Sequence, residues 1–409
     1  MDKYPEKHNP NSRFARHCMV VHAYYPMAET RVERESMALL EQGVEVDIIC
    51  LQASHEAPVA LVNGAQVYRL PLRRHRGCGL VVQLLEYLTF FILTFVCLTR
   101  LHLRKRYDVV QVHNLPDFLV FVALIPKLTG AKIIIDLHDL MPEFYAERFQ
   151  RSIDSLSVRI IRWQEWVSCS FADHVITVSE LWRQALIKRG QPANKVTVVM
   201  NVADDHIFYL DAATHTFDDS CFHLIYHGVM GQRHGLDLAL KAIGQIRQVV
   251  PTIHLTLHGW GEYRRTLESL VDELGLRDHV QFSTFRVPTT ELPKLLKTAD
   301  LAIVPYRDGV FTGGIVPTKL MEYAALGIPA IVARTPGIAT YFEETTVQFF
   351  TPGDVDELAA CILTLYNDRL RLASLARNIV KFNERFNWAK VSADYVALVK
   401  RLNPRQMLG

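Results

Sequence analysis

The hydrophobic and polar positions of this chain alternate between two periods, one typical of buried strands and the other of amphipathic helices. Near the start, Cys18–Ala23 and Val44–Leu51 are apolar runs, and the stretch between them has apolar positions at helical spacing that stop at Gly43. This pattern predicts a strand, a helix and a second strand. Further apolar runs at Asp108–His113 and Lys132–Leu137 continue the alternation, which is typical of an α/β fold with parallel sheets.

The second half of the chain repeats the alternation, with predicted strands at His223–His227, Ile253–His258 and Leu301–Pro305. A polar break at about Asp205–Asp219 interrupts the apolar pattern between the halves, and such breaks are typical of loops. We therefore predict two domains, at 1–205 and 206–385, followed by a last helix in 386–409.

The stretch Gly309–Arg334 predicts a glycine loop, a helix and a strand. Gly313 and Gly314 are expected to leave backbone amides open to a ligand, and Pro317 suits the first position of a helix. Helix N-termini that face such loops bind phosphates, and ligands of open α/β sheets bind beyond the carboxyl ends of the strands. One turn apart on this helix, Lys319 and Glu322 could bind a phosphate and a pair of hydroxyls; the alternative is a solvated helix face.

The most apolar stretch of the chain is Leu80–Leu103, in which the uncharged part, Tyr87–Thr99, has thirteen residues. At 1.5 Å per residue this part reaches about 20 Å, against a bilayer core of roughly 30 Å. We therefore expect a helix that does not span a bilayer. Either it lies at a lipid interface with its basic flanks on anionic headgroups, or it is a core helix with basic ends. The flanks contain Arg73, Arg74 and Arg76 before the helix and Arg100, Arg104, Lys105 and Arg106 after it.

Composition excludes several classes of protein. A length of 409 residues suggests two or three domains, and a net charge of only +2 argues against nucleic-acid binding by bulk electrostatics. The seven cysteines form no CxxC pair, which fits a reducing, cytoplasmic compartment. The first twelve residues lack the apolar core of a signal peptide. No GxGxxG follows the first strand, so a nicotinamide enzyme is not expected.

Two groups of residues have spacings that suggest a metal site. Asp354 and Asp356 have the DxD spacing of a metal-bound nucleotide, but Asp354 with Glu357 matches a capping box before an apolar helix, which we favour. Asp136, His138 and Asp139 also include possible ligands, but they follow a strand and need not face one point. We therefore predict no metal.

The sequence resembles a known family, the retaining GT-B glycosyltransferases of family 4. Within this family it resembles the bacterial branch that builds surface polysaccharides and carries a PTKLxEY motif. The similarity runs from about Val20 to Leu402 in the expected order. It implies two Rossmann-like domains with parallel sheets facing across a cleft, the first binding the acceptor and the second the nucleotide-sugar, and C-terminal helices that pack back on the first. The segments that carry it are RVERESMALLEQGVEVDIICL, IIIDLHDLMPE, HGVMGQRHGLDLALKAI, HGWGEY, ADLAIVPY and PTKLMEYAALGIPAIVA.

The resemblance also implies roles for single residues on the donor side. Glu322 matches the second Glu of the family's ExxxxxxxE motif, which binds the ribose, whereas the first Glu falls on Gly314 and is missing. Asp308 or the amides of Gly313 and Gly314 are expected to replace that first Glu. The glycine turns at Gly228 and Gly261 are expected to line the nucleotide site.

The predicted catalytic residues are His138, Arg233 and Lys319, and His234 is predicted to bind the donor. Arg233 and His234 lie where the family has a basic pair on the diphosphate, with His234 in place of the usual Lys. Arg233 is the better phosphate ligand because its charge is fixed, and Lys319 is the second candidate. His138 matches the family's histidine near the reacting carbon of the donor sugar.

These expectations add up to a retaining, metal-independent transfer of a sugar, without a cofactor, from a nucleotide-sugar to a glycan. UDP is preferred as the nucleotide, with GDP second, and a lipid-linked glycan is the expected acceptor, on the cytoplasmic side of the membrane and with no nucleic acid involved. Two alternatives stay open: a GT-B binding protein that has lost catalysis, and a nucleotide-sugar epimerase.

Overall fold

The computed structural model of the chain describes residues 15–27, 29–74, 79–210, 221–285 and 287–403. Three features of the sequence lie outside these ranges: the polar N-terminal segment, Arg76 in the basic flank, and most of the predicted domain break. Within the described residues the chain forms two β-sheets, one in each half.

The N-terminal sheet is parallel except for one edge hairpin, in which β3 and β4 pair in antiparallel fashion. Its strand order is β3-β4-β2-β1-β5-β6-β7-β8. Apolar runs buried on both faces explain why the inner strands were predictable. The strands are β1 (Arg16–Tyr24), β2 (Glu45–Leu51), β3 (Val59–Val62), β4 (Ala65–Leu70), β5 (Val109–His113), β6 (Lys132–Leu137), β7 (His174–Thr177) and β8 (Val196–Val198).

The C-terminal sheet has the order β11-β10-β9-β12-β13-β14 in the described residues, and each of its pairings is parallel. The order reverses beside β9, where the connections switch from one side to the other, and ligands of such sheets bind at this switch point. The strands are β9 (Phe222–His227), β10 (Ile253–His258), β11 (Val280–Phe282), β12 (Leu301–Val304), β13 (Ala330–Ala333) and β14 (Gln348–Phe350).

Helices cover both sheets, as expected when parallel strands need crossover connections. The fold class predicted from the sequence is therefore confirmed. The helices of the first half are α1 (Thr30–Leu40), α2 (Leu80–Lys105), α3 (Leu124–Leu128), α4 (Met141–Arg148), α5 (Leu156–Phe171) and α6 (Glu180–Lys188). Those of the second half are α7 (Leu236–Ile246), α8 (Arg264–Glu273), α9 (Leu292–Leu296), α10 (Thr318–Leu326), α11 (Pro336–Ala339), α12 (Val355–Asn367), α13 (Arg369–Arg385) and α14 (Trp388–Leu402).

The start of α12 settles the choice between a metal site and a cap. The carboxylate of Asp354 accepts the N–H of Glu357 at 2.9 Å, so Asp354 is the N-cap. Asp356 accepts instead from the side chain of Gln245 at 2.8 Å. The interpretation as a helix cap is confirmed.

The last helix, α14, packs on the N-terminal sheet. The buried Tyr395 donates its hydroxyl to the side chain of Gln111 on β5 at 2.7 Å. The guanidinium of Arg34 on α1 lies 4.7 Å from the ring centre of Trp388. The C-terminal helix therefore packs against the first domain. The predicted domain bounds, 1–205 and 206–385, stay a prediction.

Helix α2 packs one face against the sheet and exposes the other. Its buried face includes Phe90 and Glu86, and Glu86 lies 3.2 Å from the imidazole of His22 on β1. The opposite face exposes a stripe at helical spacing, with Leu85, Leu88 and Ile92 each more than half exposed. The helix therefore packs one face on the core of the first domain and exposes the other, and the choice between a lipid contact and a core helix with basic ends stays open. By length and composition α2 also passes as a helix that could cross a membrane, although about a fifth of its most apolar window is buried in the protein.

The chain between β5 and β6 is helical: it begins as a 3₁₀ helix at Asp117–Ala123 and continues as the short α3. Helix α4 was not predicted, although Pro142 in its first turn suits a helix start.

Candidate active site

Three glycines at the carboxyl ends of β9 and β10 allow two loops to pack backbone against backbone. Gly228 donates its N–H to His258 O at 2.9 Å, and Met230 donates to Trp260 O at 3.0 Å. A Cβ at Gly259 would overlap Gly228 O, and a Cβ at Gly261 would overlap Met230 O. Gly261 is therefore needed for loop packing, and its contact with the nucleotide stays a prediction.

Lys319 crosses the Gly228 turn. A Cβ on Gly228 would lie 3.1 Å from Lys319 Cε and would displace the lysine slightly, and the φ of +117° at this turn also favours glycine. The ammonium donates to the hydroxyl of Tyr306 at 2.8 Å and lies 4.8 Å from the ring centre of Tyr226. Burial lowers the pKa of Lys319, but the contacts with Tyr226 and Tyr306 outweigh burial and raise it above its usual value. Lys319 is thus a fixed cation on this turn.

Glu322 lies one turn after Lys319 on α10, and a chain of hydrogen bonds orients its carboxylate. His227 Nε2 lies 2.5 Å from Glu322 Oε2, and His227 Nδ1 lies 2.8 Å from the hydroxyl of Tyr323. A carboxylate oxygen accepts, so Nε2 donates its proton to Glu322, and the Nδ1 of a neutral imidazole then accepts from the Tyr323 hydroxyl. This arrangement leaves the second carboxylate oxygen, Oε1, for a ligand.

Of the predicted basic pair, Arg233 and His234, only Arg233 is charged. His234 is buried, and its Nδ1 accepts the N–H of Gly231 at 3.0 Å. Burial lowers the pKa of His234 to about 3, with further lowering by the charges of Lys319 and Arg233. His234 is therefore neutral and orders the turn. Arg233 is exposed, and its guanidinium lies 5.6 Å from the ring centre of Phe311.

The prediction that Gly313 and Gly314 offer open amides is wrong. The loop closes into a 3₁₀ turn at Thr312–Gly314, in which Gly313 donates to Gly309 O at 2.7 Å and Gly314 donates to Phe311 O at 3.0 Å. Both glycines are buried. Asp308 stays exposed and accepts the N–H of Gly309 at 3.0 Å.

The absence of a Glu at position 314 has a steric reason. A Cβ there would overlap the indole nitrogen of Trp182, which reaches across from α6 of the first domain. The adjacent helix α10 begins at Thr318 with Pro317 as its N-cap. Within the described residues, Thr318 N–H and Lys319 N–H donate to no protein acceptor, so this helix end can still bind an anion.

His138 lies at the end of β6 in a compact group. Its Nε2 is 3.1 Å from His113 Nδ1 and 3.4 Å from Asp136 Oδ2, and its backbone N–H donates to Asn114 Oδ1 at 2.8 Å. Arg31 on α1 binds both oxygens of Asp136, at 2.9 and 3.0 Å. This bidentate pair fixes the carboxylate under the imidazole.

The pKa values of the two histidines in this group are shifted in opposite directions. Burial would raise the pKa of Asp136, but the Arg31 and His138 charges hold it well below its usual value. Burial lowers the pKa of His138, yet the ionised Asp136 outweighs burial and raises it. Burial lowers the pKa of His113 to about 4. His138 is therefore the histidine that carries positive charge most readily.

Among the described residues, His113, Asp136 and His138 place one ligand atom each within 4.8 Å of one another, as metal ligands would. Asp139, which the sequence suggested for a metal site, is not in this group. Both oxygens of Asp136 are already bound by Arg31, which puts a cation beside the site. The group therefore fits a charged imidazole better than a metal ion.

The two halves of the predicted site face each other. Burial raises the pKa of Asp139, and the charges of His138 and Arg233 oppose this rise, so residues of both domains act on one carboxyl group. Sequence reasoning gave no role to Arg31 or His227. Both lie in segments that carry the family resemblance, and His227 also ends a predicted strand, but neither signal indicates the contact that the residue makes.

Two family models match the chain, one in each half. The model described as "Glycosyl transferase 4-like domain" matches residues 28–201, and "Glycosyl transferases group 1" matches residues 211–385.

Curated relatives match over shorter stretches. The amylovoran biosynthesis glycosyltransferase AmsK of Erwinia amylovora is 25% identical over 53% of this chain and 54% of its own length. A GDP-mannose-dependent phosphatidylinositol monomannoside mannosyltransferase of Mycolicibacterium smegmatis is 31% identical over 35% of this chain and 38% of its own. The chain thus spans about half or less of the length of these relatives.

Solved structures match over nearly the whole chain. Sucrose-phosphate synthase of Thermosynechococcus elongatus has a TM-score of 0.77 at 19% identity, covering 95% of this chain and 99% of that one. Anabaena HepE in complex with UDP-glucose has a TM-score of 0.70 at 18% identity, covering 94% and 99%. At these identities the likeness shows the shared fold.

Proposed function

Because this chain belongs to the GT-B glycosyltransferases, with models of the 4-like and group 1 domains matched in its two halves, we propose that it transfers a sugar from a nucleotide-sugar to a glycan acceptor with retention of configuration. One observation carries the proposal: Lys319 and the oriented carboxylate of Glu322 share one face of α10 beside the Gly228 turn. A cation and a hydroxyl-binding carboxylate at this spacing suit the diphosphate and the ribose of one ligand.

The donor binds the C-terminal domain in this proposal. Glu322 Oε1 accepts a ribose hydroxyl while His227 holds the other oxygen of the carboxylate. Lys319, Arg233 and the N-terminus of α10 bind the diphosphate. UDP is the proposed nucleotide, with GDP second: HepE, similar in fold, was solved with UDP-glucose, and the mycobacterial relative is named as GDP-mannose-dependent.

In the transfer step the bond between the anomeric carbon and the phosphate oxygen breaks, and the acceptor oxygen bonds to that carbon. The acceptor proton passes to the departing phosphate on the same face. Negative charge grows on the diphosphate, and Lys319 and Arg233 stabilise it without needing a metal. His138, held over Asp136, lines the sugar side of the cleft and orients the donor sugar.

The proposed acceptor is a lipid-linked glycan at the inner face of the cytoplasmic membrane. The exposed stripe of α2 would lie at the lipid interface, and its basic ends would contact anionic headgroups. The first domain also exposes Trp163 and Ile160 of α5 and Leu128 of α3, and both α2 and α5 pack against the 3₁₀ helix Asp117–Ala123. Tryptophan prefers the bilayer interface, so α5 extends the contact surface.

Thermal shift in the presence of EDTA tests the donor site. Wild type and Glu322→Ala are compared with UDP, GDP, ADP and their sugar conjugates. We expect one nucleotide to raise the melting temperature of wild type and to raise that of the variant much less, because ligand binding stabilises the folded state. No shift with any nucleotide at millimolar concentration would favour the non-catalytic alternative. Conversion of the donor to a sugar epimer in the absence of an acceptor would favour the epimerase.

A further inference from the structure

Glu147, in the last turn of α4, binds the glycine loop of the opposite domain. Its Oε2 accepts the N–H of Phe311 at 3.0 Å and the N–H of Thr312 at 2.9 Å. Its Oε1 accepts the hydroxyl of Thr312. Three donors thus converge on one carboxylate, and hydrogen bonds to a charged acceptor are about twice as strong as neutral ones.

The carboxylate of Glu147 fits against the loop because position 309 is a glycine. A Cβ at Gly309 would overlap Glu147 Oε2, so any other residue there would push the side chain of Glu147 away from the two amides. Gly309 and Glu147 are therefore matched across the domain boundary.

The loop that Glu147 holds supports Arg233. The ring of Phe311 is buried, packs edge-on against Phe144 at 5.2 Å and stacks on Trp182 at 5.7 Å. On another side it lies 5.6 Å from the guanidinium of Arg233. A shift of the loop would therefore move the surface on which the proposed phosphate ligand rests.

We infer that Glu147 is a positioning residue for glycosyl transfer: it fixes the 309–314 loop against the first domain and so holds Arg233 in place for the leaving diphosphate. This inference rests on the proposed function, which assigns Arg233 its phosphate contact. A misplacement of about 1 Å in such a site can cost on the order of a hundredfold in rate.

Kinetics of Glu147→Ala, Glu147→Gln and Gly309→Ala test the role. We expect kcat to fall at least tenfold in Glu147→Ala and Gly309→Ala, and the double variant to lose little more than either single one. Glu147→Gln, which keeps one acceptor oxygen, should lose less. Tyr341→Phe is the matched control, because it removes another hydrogen bond between the domains, from Glu180 N–H to the Tyr341 hydroxyl at 2.7 Å. Its kcat should match wild type.

Amide hydrogen exchange gives a readout that does not depend on activity. The amides of Phe311 and Thr312 should exchange faster in Glu147→Ala and in Gly309→Ala, and at the wild-type rate in Tyr341→Phe. Faster exchange with unchanged kcat would overturn the inference, since Glu147 would then only stabilise the loop. A rise in donor affinity in Glu147→Ala would overturn it too, because the carboxylate would then compete with the donor for these amides. Absence of transfer by wild type would instead overturn the proposed function.

Discussion

The imidazole of His227, at the end of β9, lies 2.5 Å from the carboxylate of Glu322 on α10, a residue 95 positions later in the chain. The contact joins the strand at the switch point of the C-terminal sheet to the helix that carries the proposed ribose ligand. Tyr323, next to Glu322, holds the other side of the imidazole at 2.8 Å. Two neighbouring residues of α10 therefore act together: Glu322 is the proposed ligand, and Tyr323 holds the imidazole that orients the carboxylate of Glu322.

His227→Phe should weaken UDP binding about tenfold or more. Loss of a hydrogen bond to a charged group costs about 1.5–3 kcal/mol, and the carboxylate of Glu322 would lose its fixed orientation. Isothermal titration calorimetry with UDP measures the effect.

The matched control for His227→Phe is His258→Phe. His258 is a buried histidine at the end of the neighbouring strand β10, where its Nδ1 lies 2.7 Å from the hydroxyl of Ser283. Equal losses of affinity in the two variants would mean that general packing at this edge, and not the Glu322 contact, sets the affinity.

Arg233→Ala should lower kcat by on the order of 10²–10³, the range seen when one stabilising contact to a developing charge is removed. Arg233→Lys should recover part of the loss, because it keeps the charge but not the forked donors. Steady-state kinetics with the donor identified by thermal shift provide the measurement. Arg265→Ala, an exposed arginine on α8, is the control, and activity of Arg233→Ala within a few fold of wild type would contradict the role.

The stability contributed by His138 should depend on pH. Asp136 raises the pKa of His138 in the folded state, so this contribution is fully present below the unfolded pKa of about 6.5 and is lost as pH rises through the folded value. The difference in melting temperature between wild type and His138→Gln should therefore be larger at pH 6 than at pH 9.

His113→Gln should show the opposite trend. Burial lowers the pKa of His113 to about 4, so in wild type this residue disfavours the folded state increasingly as pH falls from about 6.5 towards 4. The stability difference between wild type and His113→Gln should shrink over that range. Parallel trends for the two histidines would contradict the assignment of the charge to His138.

Replacement of Leu85, Leu88 and Ile92 by Gln should abolish sedimentation with anionic vesicles at physiological salt. These side chains are more than half exposed, so the change should leave the melting temperature nearly unchanged. Leu370→Gln, an exposed leucine on α13 of the other domain, is the control. If wild type stays in the supernatant, the membrane contact is wrong, and a change in the elution volume of the triple variant would point instead to a second copy of the chain on this face.

Buried parallel strands were predictable because they are apolar on both faces. Lys132–Leu137 has the predicted bounds, and the amphipathic helix Trp388–Leu402 lies within the range 386–409 predicted for the last helix. Short or edge elements lack such a signal, and so the hairpin strand Val59–Val62 was missed.

The candidate site was less predictable, because its geometry depends on contacts distant in sequence. Nothing near Gly313 and Gly314 indicates that Glu147, 165 residues before Thr312, holds their loop. The residue types that bind ligands were visible in the sequence; the residues that orient them, such as Arg31 under Asp136, were not.

Gly314→Ala should destabilise the protein by about 1–3 kcal/mol, the usual cost of overpacking a buried site. The added methyl group would overlap the indole of Trp182, which is nearly fully buried and stacks on Phe311. Trp182→Phe in the same chain should recover part of the loss, because the smaller ring frees the space. Urea unfolding of the single and double variants measures this coupling. If the two effects simply add, Trp182 does not set the residue at position 314, and the missing Glu of the family motif needs another explanation.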